Sequence, residues 1–283
     1  MQKNQLSIPF ILVWLFLPVL GQGFQSSDQW EYLFNGKNLS GWDTYLGPRF
    51  DNTGKRINEA PIGINKDPSH VFSIVKDNSD QVIRISGESF GAIYTQKEFE
   101  NYHLQLMFKW GNLTWAPKKG KKRDSGLLYH SVGPNGADNG SWMRSQEFQI
   151  EEGNCGDFWG VAGGIEDIPA IKKSDSEYVY HPGANMYTFS ATSPQGRWCI
   201  KGQDAEKPSG EWNQLDLYCH GDTSVHVING KVMMVLYHSR QLENGGELPL
   251  TKGKLQLQSE GAEVFYKQIR ISPLASIPGK FLN

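Results

Sequence analysis

Residues 225–235 read Val-His-Val-Ile-Asn-Gly-Lys-Val-Met-Met-Val, and this stretch indicates the fold class. Two apolar runs rich in β-branched residues flank the dipeptide Asn229-Gly230. A two-residue hairpin turn needs positive φ angles at both central positions, and Asn-Gly is the pair that adopts them most readily. The stretch therefore predicts two antiparallel strands joined by a tight turn.

Similar short runs, rich in Val, Ile, Tyr and Phe, recur along the chain, while no segment carries a sustained helical apolar stripe. This pattern is typical of an all-β sandwich or barrel. Long connections rich in Gly and Pro cover residues 46–68, 111–125, 133–146 and 153–185, and such loops commonly carry binding sites. The predicted strands cover residues 71–75, 81–86, 92–95, 102–110, 127–130, 147–151, 186–190, 197–201, 212–220, 224–228, 232–237, 254–259 and 264–271.

Composition excludes several classes of protein. The 283 residues include 28 Lys plus Arg against 30 Asp plus Glu, so no basic excess is present to neutralise phosphates, and a nucleic-acid partner is not expected. Nine Trp and an aromatic content of 12% give the chain too many core-forming residues for a disordered protein.

The N-terminal segment resembles a secretory signal peptide. Lys3 precedes an apolar run over residues 8–20, and the small-x-small pattern Gly21-Gln22-Gly23 follows. We therefore expect residues 1–23 to be a signal peptide and residues 24–283 to form one domain. The protein is expected to be exported to the periplasm or the extracellular space, with no membrane association after cleavage.

Three cysteines are present, an odd number for an oxidising compartment. Cys199 and Cys219 lie in two predicted strands and could form a disulfide that leaves Cys155 free. The alternative is three buried thiols, and the sequence leaves both open.

Period-two alternation separates polar from apolar residues within three of the predicted strands. The apolar sets would build a core between two sheets. We expect the polar sets to form one open face whose carboxylates, amides and aromatic rings suit a carbohydrate, although an ordinary solvated face is the plainer alternative. These polar sets are Glu147, Gln149 and Glu151; Gln256, Gln258 and Glu260; and Trp212, Gln214, Asp216, Tyr218 and His220.

The motif Glu147-Phe148-Gln149-Ile150-Glu151 resembles the Glu-x-Asp-x-Glu strand of laminarinase-type β-glucanases, with Gln149 in place of the central Asp. Four strand residues separate the two Glu Cα atoms by about 13 Å. Retaining glycosidases hold their carboxyl groups about 5 to 5.5 Å apart and inverting ones about 6.5 to 9.5 Å, so the spacing of these two Cα atoms does not by itself predict two-carboxylate hydrolysis.

The sequence around this motif is similar to sequences of the 3-keto-disaccharide hydrolase family, and the similarity covers residues 30–273. The resemblance implies an antiparallel two-sheet jelly-roll sandwich of the concanavalin A-like lectin/glucanase type, with long functional loops. It also implies an enzyme that cleaves 3-keto-glycosides, as a lyase, or hydrates the resulting 2-hydroxy-glucal. The segments that carry it are LFNGKNLSGW at 33–42, KRDSGLLYH at 122–130, WMRSQEFQIEEGNCGDFW at 142–159, GEWN at 210–213, VINGK at 227–231 and LQLQSEGAEV at 255–264.

The implied chemistry needs three functional groups. A ketone at C3 acidifies the C2 proton, so the reaction requires a base near C2, an acid near the glycosidic oxygen and a cation or donor near the C3 oxygen. The candidate base is Glu147 or His130, and the candidate acid is Glu151 or Glu260. Arg144 or a bound divalent ion is the candidate stabiliser of the enediolate.

Other residues are expected to contact a glycoside or oligosaccharide substrate or to turn the chain. The basic cluster over residues 118–123 is interpreted as a solvated loop, and Asp124 as a turn residue. A conventional β-glucanase and a non-catalytic lectin-like module remain alternative functions. The substrate-binding candidates are Gln149, Arg144, Trp142, Trp159, Tyr129, Gln258 and Asp157, and the candidate ligands for a possible divalent metal ion are His130, Glu147 and Glu151.

Overall fold

The computed structural model describes residues 29–57 and 60–282, so the predicted signal peptide lies outside the described residues. These residues form 20 β-strands and one short 3-10 helix, Gly279–Phe281. No helix in residues 29–57 and 60–282 is long and apolar enough to span a membrane. The strands are β1 Glu31–Tyr32, β2 Trp42–Leu46, β3 Gly63–Ile64, β4 Phe72–Asp77, β5 Asp80–Ile85, β6 Gly91–Thr95, β7 Tyr102–Thr114, β8 Asp124–Val132, β9 Arg144–Glu151, β10 Phe158–Val161, β11 Gly164–Lys172, β12 Tyr178–Tyr180, β13 Met186–Phe189, β14 Trp198–Cys199, β15 Asn213–His220, β16 Thr223–Ile228, β17 Lys231–Glu243, β18 Gly246–Pro249, β19 Lys254–Ser259 and β20 Ala262–Pro273.

Two antiparallel sheets make up the fold, as the sequence predicted. The larger sheet runs β12-β11-β17-β16-β15-β7-β20-β5-β4, with β1, β13 and β18 attached to β20, β11 and β17. The smaller sheet runs β14-β10-β9-β8-β19-β6-β2-β3. Their inner faces enclose the main core, to which the smaller sheet contributes Leu127, Phe148 and Leu257 and the larger sheet Leu104 and Leu217. The chain is therefore a jelly-roll sandwich.

The hairpin predicted at residues 225–235 is confirmed. Val227 pairs with Val232 and Ile228 with Lys231, which leaves Asn229 and Gly230 as the two turn residues. Their φ angles are 49° and 79°, the positive values that this turn requires.

The structure corrects the prediction of a long connection over residues 153–185, because β10, β11 and β12 lie within it. Gly160 and Gly164 face each other so closely that a Cβ on Gly160 would overlap the Gly164 carbonyl oxygen. These glycines, together with Pro169, conceal the alternation that normally identifies a strand.

A second correction concerns the open polar face. β9 and β19 share the smaller sheet, but β15 belongs to the larger one, so its polar residues lie on the opposite side of the molecule. There Asp216 accepts hydrogen bonds from the side chains of His103, Gln105 and Gln214, each at 2.8 Å. Asp216 of the β15 set is thus held in a hydrogen-bond network with side chains of β7 and β15. The other two polar sets do share one face of the smaller sheet.

The three cysteines are buried free thiols. Cys219 packs in the main core and Cys199 in a second apolar cluster with Phe158 and Phe189. The Cys199–Cys219 disulfide is therefore absent, and the alternative of three buried thiols is confirmed.

Candidate active site

A groove of about 220 Å³ lies on the outer face of the smaller sheet. Five buried or partly buried carboxyl groups, one ammonium group and one guanidinium group line it. Sugar-binding sites combine such polar groups with flat aromatic rings. The lining residues are Lys118, Asp124, Asp138, Asn139, Trp142, Glu147, Gln149, Glu151, Trp159, Val161, Arg197, Gln258 and Glu260.

Strand register builds the floor of this groove. On β9, Glu147, Gln149 and Glu151 alternate outward, and β8 places Leu128, Gly126 and Asp124 opposite them in that order. Alternation puts all of these side chains on one face of the sheet. The sequence prediction that β9 presents three polar groups on one face therefore matches their placement in the groove.

Gly126 leaves the centre of the floor open. A Cβ at this position would overlap the Oε1 atoms of both Glu147 and Gln258, which come together above the glycine from the strands on either side of β8. The absence of a side chain at Gly126 therefore lets an acid and an amide converge over one point.

We expect Gly126→Ala to reduce catalytic efficiency by about 10²-fold, because a methyl group would displace Glu147 and Gln258 by about 1 Å. Melting temperature should change little, since the overlapping atoms are the ends of flexible side chains. Steady-state kinetics and thermal unfolding measure the two effects. The control is Gly279→Ala, where an added Cβ meets no atom within 4 Å. Equal activity of the two variants would show that the convergence above Gly126 has no catalytic importance.

Glu147 is a buried acid, with only 6% of its surface exposed. Burial raises the pKa of this carboxyl well above its ordinary value of 4.5, and the neighbouring Asp124 raises it further. The neutral, protonated form is therefore favoured, and a neutral carboxyl group can donate a proton.

Asp124, Lys118 and Glu260 form a cluster beside Gly126. The Lys118 ammonium donates to Asp124 Oδ2 and lies 3.6 Å from Glu260 Oε1. Burial raises the pKa of Asp124 to about 6, although Lys118 opposes the shift. Burial and the Asp124 charge raise the pKa of Glu260. Burial lowers the pKa of Lys118, but the two carboxylates outweigh it, so the pKa rises and the side chain remains an ammonium.

Lys118 and Asp124 were not among the residues predicted for the site. Lys118 belongs to a basic run that reads as a solvated loop, and Asp124 precedes a Ser-Gly pair that reads as a turn. The structure instead begins β8 at Asp124 and pairs it with Glu151. Extending the predicted strand at 127–130 backward in steps of two would have placed Asp124 on the same face as Gly126 and Leu128.

The opposite end of the groove is aromatic. Trp159 lies opposite Glu147 in register and stacks on Trp198, with ring centroids 5.7 Å apart. The Arg197 guanidinium lies 5.6 Å from the Trp159 ring centroid and donates to Asp138 Oδ2 at 2.7 Å. The groove therefore has a charged end at Lys118 and an aromatic end at Trp159.

Trp142 forms the wall near this aromatic end. Its indole N–H donates to the Gly91 carbonyl at 2.9 Å, and its ring packs 5.9 Å from Phe90. Only 5% of its surface is exposed, so Trp142 supports the groove more than it offers a free stacking surface.

Three buried acceptors point into the groove without a hydrogen-bond donor among the described residues. They are Asp124 Oδ1, Gln149 Oε1 and Gln258 Oε1. Unpaired buried acceptors are costly, and sugar hydroxyl groups would supply the missing donors. The floor is thus complementary to a polyhydroxylated ligand.

Two candidates from β8 lie in the core instead of the groove. His130 has a φ of 52° at a register shift, so its ring turns inward against Tyr102 and Tyr129. Burial lowers the pKa of His130 to about 4. Tyr129 crosses the core and its hydroxyl group lies 2.8 Å from Ser224 Oγ. Neither residue therefore lines the groove.

Arg144 and Asp157 also lie outside the groove lining. Arg144 is three residues from Glu147, so alternation directs it to the other face, where it donates to the Ala162 carbonyl and to Gln241. Asp157 accepts from the Trp198 indole N–H and the Lys201 backbone N–H, each at 3.0 Å. Asp157 therefore supports the Trp198 ring that stacks on Trp159.

The candidate metal ligands are not brought together. His130 is in the core, while Glu147 and Glu151 line the groove. Within residues 29–57 and 60–282, no group of three or more His, Cys, Asp or Glu side chains has an arrangement suited to a metal ion.

A larger cleft of about 510 Å³ lies elsewhere, between Trp30, Phe99 and Ser272. Its acidic residues, Glu31 and Glu100, are both exposed, and Glu31 pairs with Lys97. The smaller groove is the better candidate because its carboxylates are buried and converge.

Comparison with known proteins assigns the family. A family described as the 3-keto-alpha-glucoside-1,2-lyase-like domain matches residues 29–272. The chain belongs to this family. The match supports a carbohydrate-active function, and no curated protein matches the chain.

Solved structures with similar folds include two Parabacteroides distasonis ATCC 8503 proteins named "putative glycosyl hydrolase". The first is 20% identical with a TM-score of 0.48, covering 87% of this chain and 100% of the other. The second is 19% identical with a TM-score of 0.44, covering 87% and 94%. A Bacillus licheniformis β-glucanase is 9% identical with a TM-score of 0.41, covering 86% and 97%.

Proposed function

We propose that this protein is an exported enzyme that cleaves 3-keto-glycosides by elimination and hydrates the resulting 2-hydroxy-glucal. The observation that carries the proposal is the convergence of Glu147 and Gln258 above Gly126, next to the Asp124–Lys118–Glu260 cluster. Elimination needs a base, an acid and a cation, and the groove brings carboxyl groups and the Lys118 ammonium together on a single surface.

Asp124 is the proposed base. Its Oδ2 atom is bonded to Lys118 and its Oδ1 atom has no donor among the described residues, so a lone pair is available in the groove. A pKa of about 6 leaves the carboxylate ionised at neutral pH and still basic enough to accept a proton. Glu260 shares the Lys118 charge and supports this role.

Glu147 is the proposed acid, which reverses the role that the sequence favoured for it. Its raised pKa keeps the carboxyl group protonated, as an acid requires. Its position opposite Trp159 puts the proton at the aromatic end of the groove.

The reaction then proceeds in two steps. Asp124 takes the C2 proton, and the C2–H electron pair forms an enediolate whose C3 oxygen is stabilised by the Lys118 ammonium. The enediolate reforms the C3 carbonyl, a C1–C2 double bond forms, the C1–O bond breaks, and Glu147 protonates the departing oxygen. Hydration reverses these transfers: Glu147 takes a proton from water as oxygen adds to C1, and Asp124 returns a proton to C2.

Substitution of Lys118 tests whether its positive charge stabilises the enediolate. We expect Lys118→Met to lower kcat by about 10²-fold, the typical cost of losing one oxyanion donor. Removing the cation should also raise the pKa of Asp124, so the acid limb of the pH–rate profile should move upward. Lys118→Arg should retain the profile, and Lys119→Met, at an exposed neighbour, should retain both activity and profile. An unshifted acid limb in Lys118→Met would contradict the proposed contact.

Turnover assays test the proposed function itself. The mature protein is incubated with a 3-keto-disaccharide and, separately, with the unoxidised disaccharide, each with and without a chelator, and products are identified by mass spectrometry. We expect cleavage of the 3-keto-disaccharide alone. Cleavage of the unoxidised sugar would favour a conventional glucanase, and binding without turnover of either sugar would favour a lectin-like module.

A further inference from the structure

We propose that the groove has two subsites, and that the group released from C1 occupies one formed by Trp159, Arg197 and Asp138. This inference rests on the proposed function and specifies its substrate class. The substrates are 3-keto-glycosides whose leaving group has a flat face, such as a second sugar ring or an aromatic ring.

The position of Trp159 supports this orientation. Trp159 lies opposite Glu147 on the neighbouring strand, so its indole adjoins the carboxyl group that would protonate the leaving oxygen. Lys118 and Asp124, which act on C3 and C2, adjoin Glu151 and Glu260 instead. A sugar ring above Gly126 with C2 and C3 toward Lys118 therefore directs its C1 substituent toward Trp159.

The chemistry of this end fits a ring. Trp159 is partly exposed and lines the groove, and its indole provides a flat apolar surface for the apolar face of a sugar or for an arene. Arg197 and Asp138 are ion-paired at 2.7 Å beside it, and they offer donors and acceptors for hydroxyl groups.

The side chains of this subsite are held in place by their neighbours. Trp198 stacks on Trp159, and Asp157 fixes Trp198 through its indole N–H. Asp138 belongs to the loop between β8 and β9, and Arg197 directly precedes β14, so the ion pair joins two segments across the groove. The subsite is therefore preformed, which reduces the entropic cost of binding a ring.

The experiment compares two substrates that differ only in the leaving group. One is a 3-keto-disaccharide and the other is methyl 3-keto-glucoside, whose methoxy group is too small to reach Trp159. We expect Trp159→Ala to reduce kcat/KM for the disaccharide by about 10-fold, mainly through KM, and to leave the methyl glycoside within about twofold. Trp159→Phe should show a smaller loss with the same selectivity, which keeps the test valid if the Ala variant folds poorly.

Trp212→Phe is the matched control, because Trp212 is a partly exposed tryptophan beside β15 in the larger sheet. We expect it to leave both substrates unchanged. An equal loss for both substrates, or no loss for either, in the Trp159 variants would overturn the subsite. Failure of the wild-type protein to cleave either compound would instead refute the proposed function, and the subsite with it.

Discussion

Glu147→Gln should lower the rate of 3-keto-disaccharide cleavage by about 10²- to 10⁴-fold, the usual contribution of a general acid. Glutamine preserves the size of the side chain above Gly126 but cannot donate a proton to the leaving oxygen. The loss should be much smaller for 4-nitrophenyl 3-keto-glucoside, because nitrophenolate departs without protonation. Steady-state kinetics on the two substrates measure this selectivity.

The same variant should gain stability at alkaline pH. The pKa of Glu147 is raised in the folded protein relative to about 4.5 in the unfolded chain, so wild-type stability falls as pH rises from 4.5 through the folded-state value. Glutamine carries no such penalty. We therefore expect the melting temperature of the variant to exceed that of the wild type at pH 8, with the difference shrinking toward pH 4.

Glu147→Gln should thus lose activity and gain stability at alkaline pH, as expected when a catalytic residue carries a buried group that destabilises the fold. A mainly structural Glu147 would give the other pattern: lower stability at all pH values and equal losses for both substrates. Glu152→Gln is a matched control, since Glu152 pairs with Arg123 and does not line the groove.

Asp124→Asn should lower the rate of cleavage by about 10³-fold or more for both leaving groups, because an amide cannot accept the C2 proton. Unlike Glu147→Gln, this variant should lose as much activity on the nitrophenyl substrate as on the disaccharide, because proton removal precedes departure of the leaving group. Initial rates for the two substrates separate these cases.

The pH dependence of the wild-type enzyme supplies a further check on Asp124. The base must be ionised, so kcat/KM should fall as pH drops through about 6, the pKa of Asp124. The acid Glu147 must be protonated, so activity should also fall on the alkaline side.

Rescue of Asp124→Asn by the nitrophenyl substrate would contradict the assignment of Asp124 as base.

The sequence predicted most of the sandwich, because local alternation determines which residues face the core. Phe148 and Ile150 were assigned inward and Glu147 and Gln149 outward from the pattern of β9 alone, and the structure places all four in this way. Strands with interrupted alternation were missed, as in β10, where Gly160 permits close backbone approach.

The groove was harder to predict because several of its residues come from irregular backbone. Lys118 reaches Asp124 from a loop without periodicity, and Arg197 meets Asp138 across 59 residues of chain. His130 shows the reverse error, because it would face the groove in a regular strand and a local bulge turns it into the core. Which sheet a strand joins is likewise a long-range property, so the β15 polar set was misplaced.

The central claim is that the groove removes the C2 proton of a 3-keto-glycoside, and deuterium exchange tests it most directly. A 3-keto-disaccharide is incubated in deuterated water with wild-type protein, Glu147→Gln, Asp124→Asn or no enzyme, and C2 is followed by NMR. We expect the wild type to release 3-keto-sugar deuterated at C2, Glu147→Gln to exchange the C2 proton with little cleavage, and Asp124→Asn to match the enzyme-free sample. Cleavage by the wild type with the original C2 proton retained would contradict elimination and the proposed function.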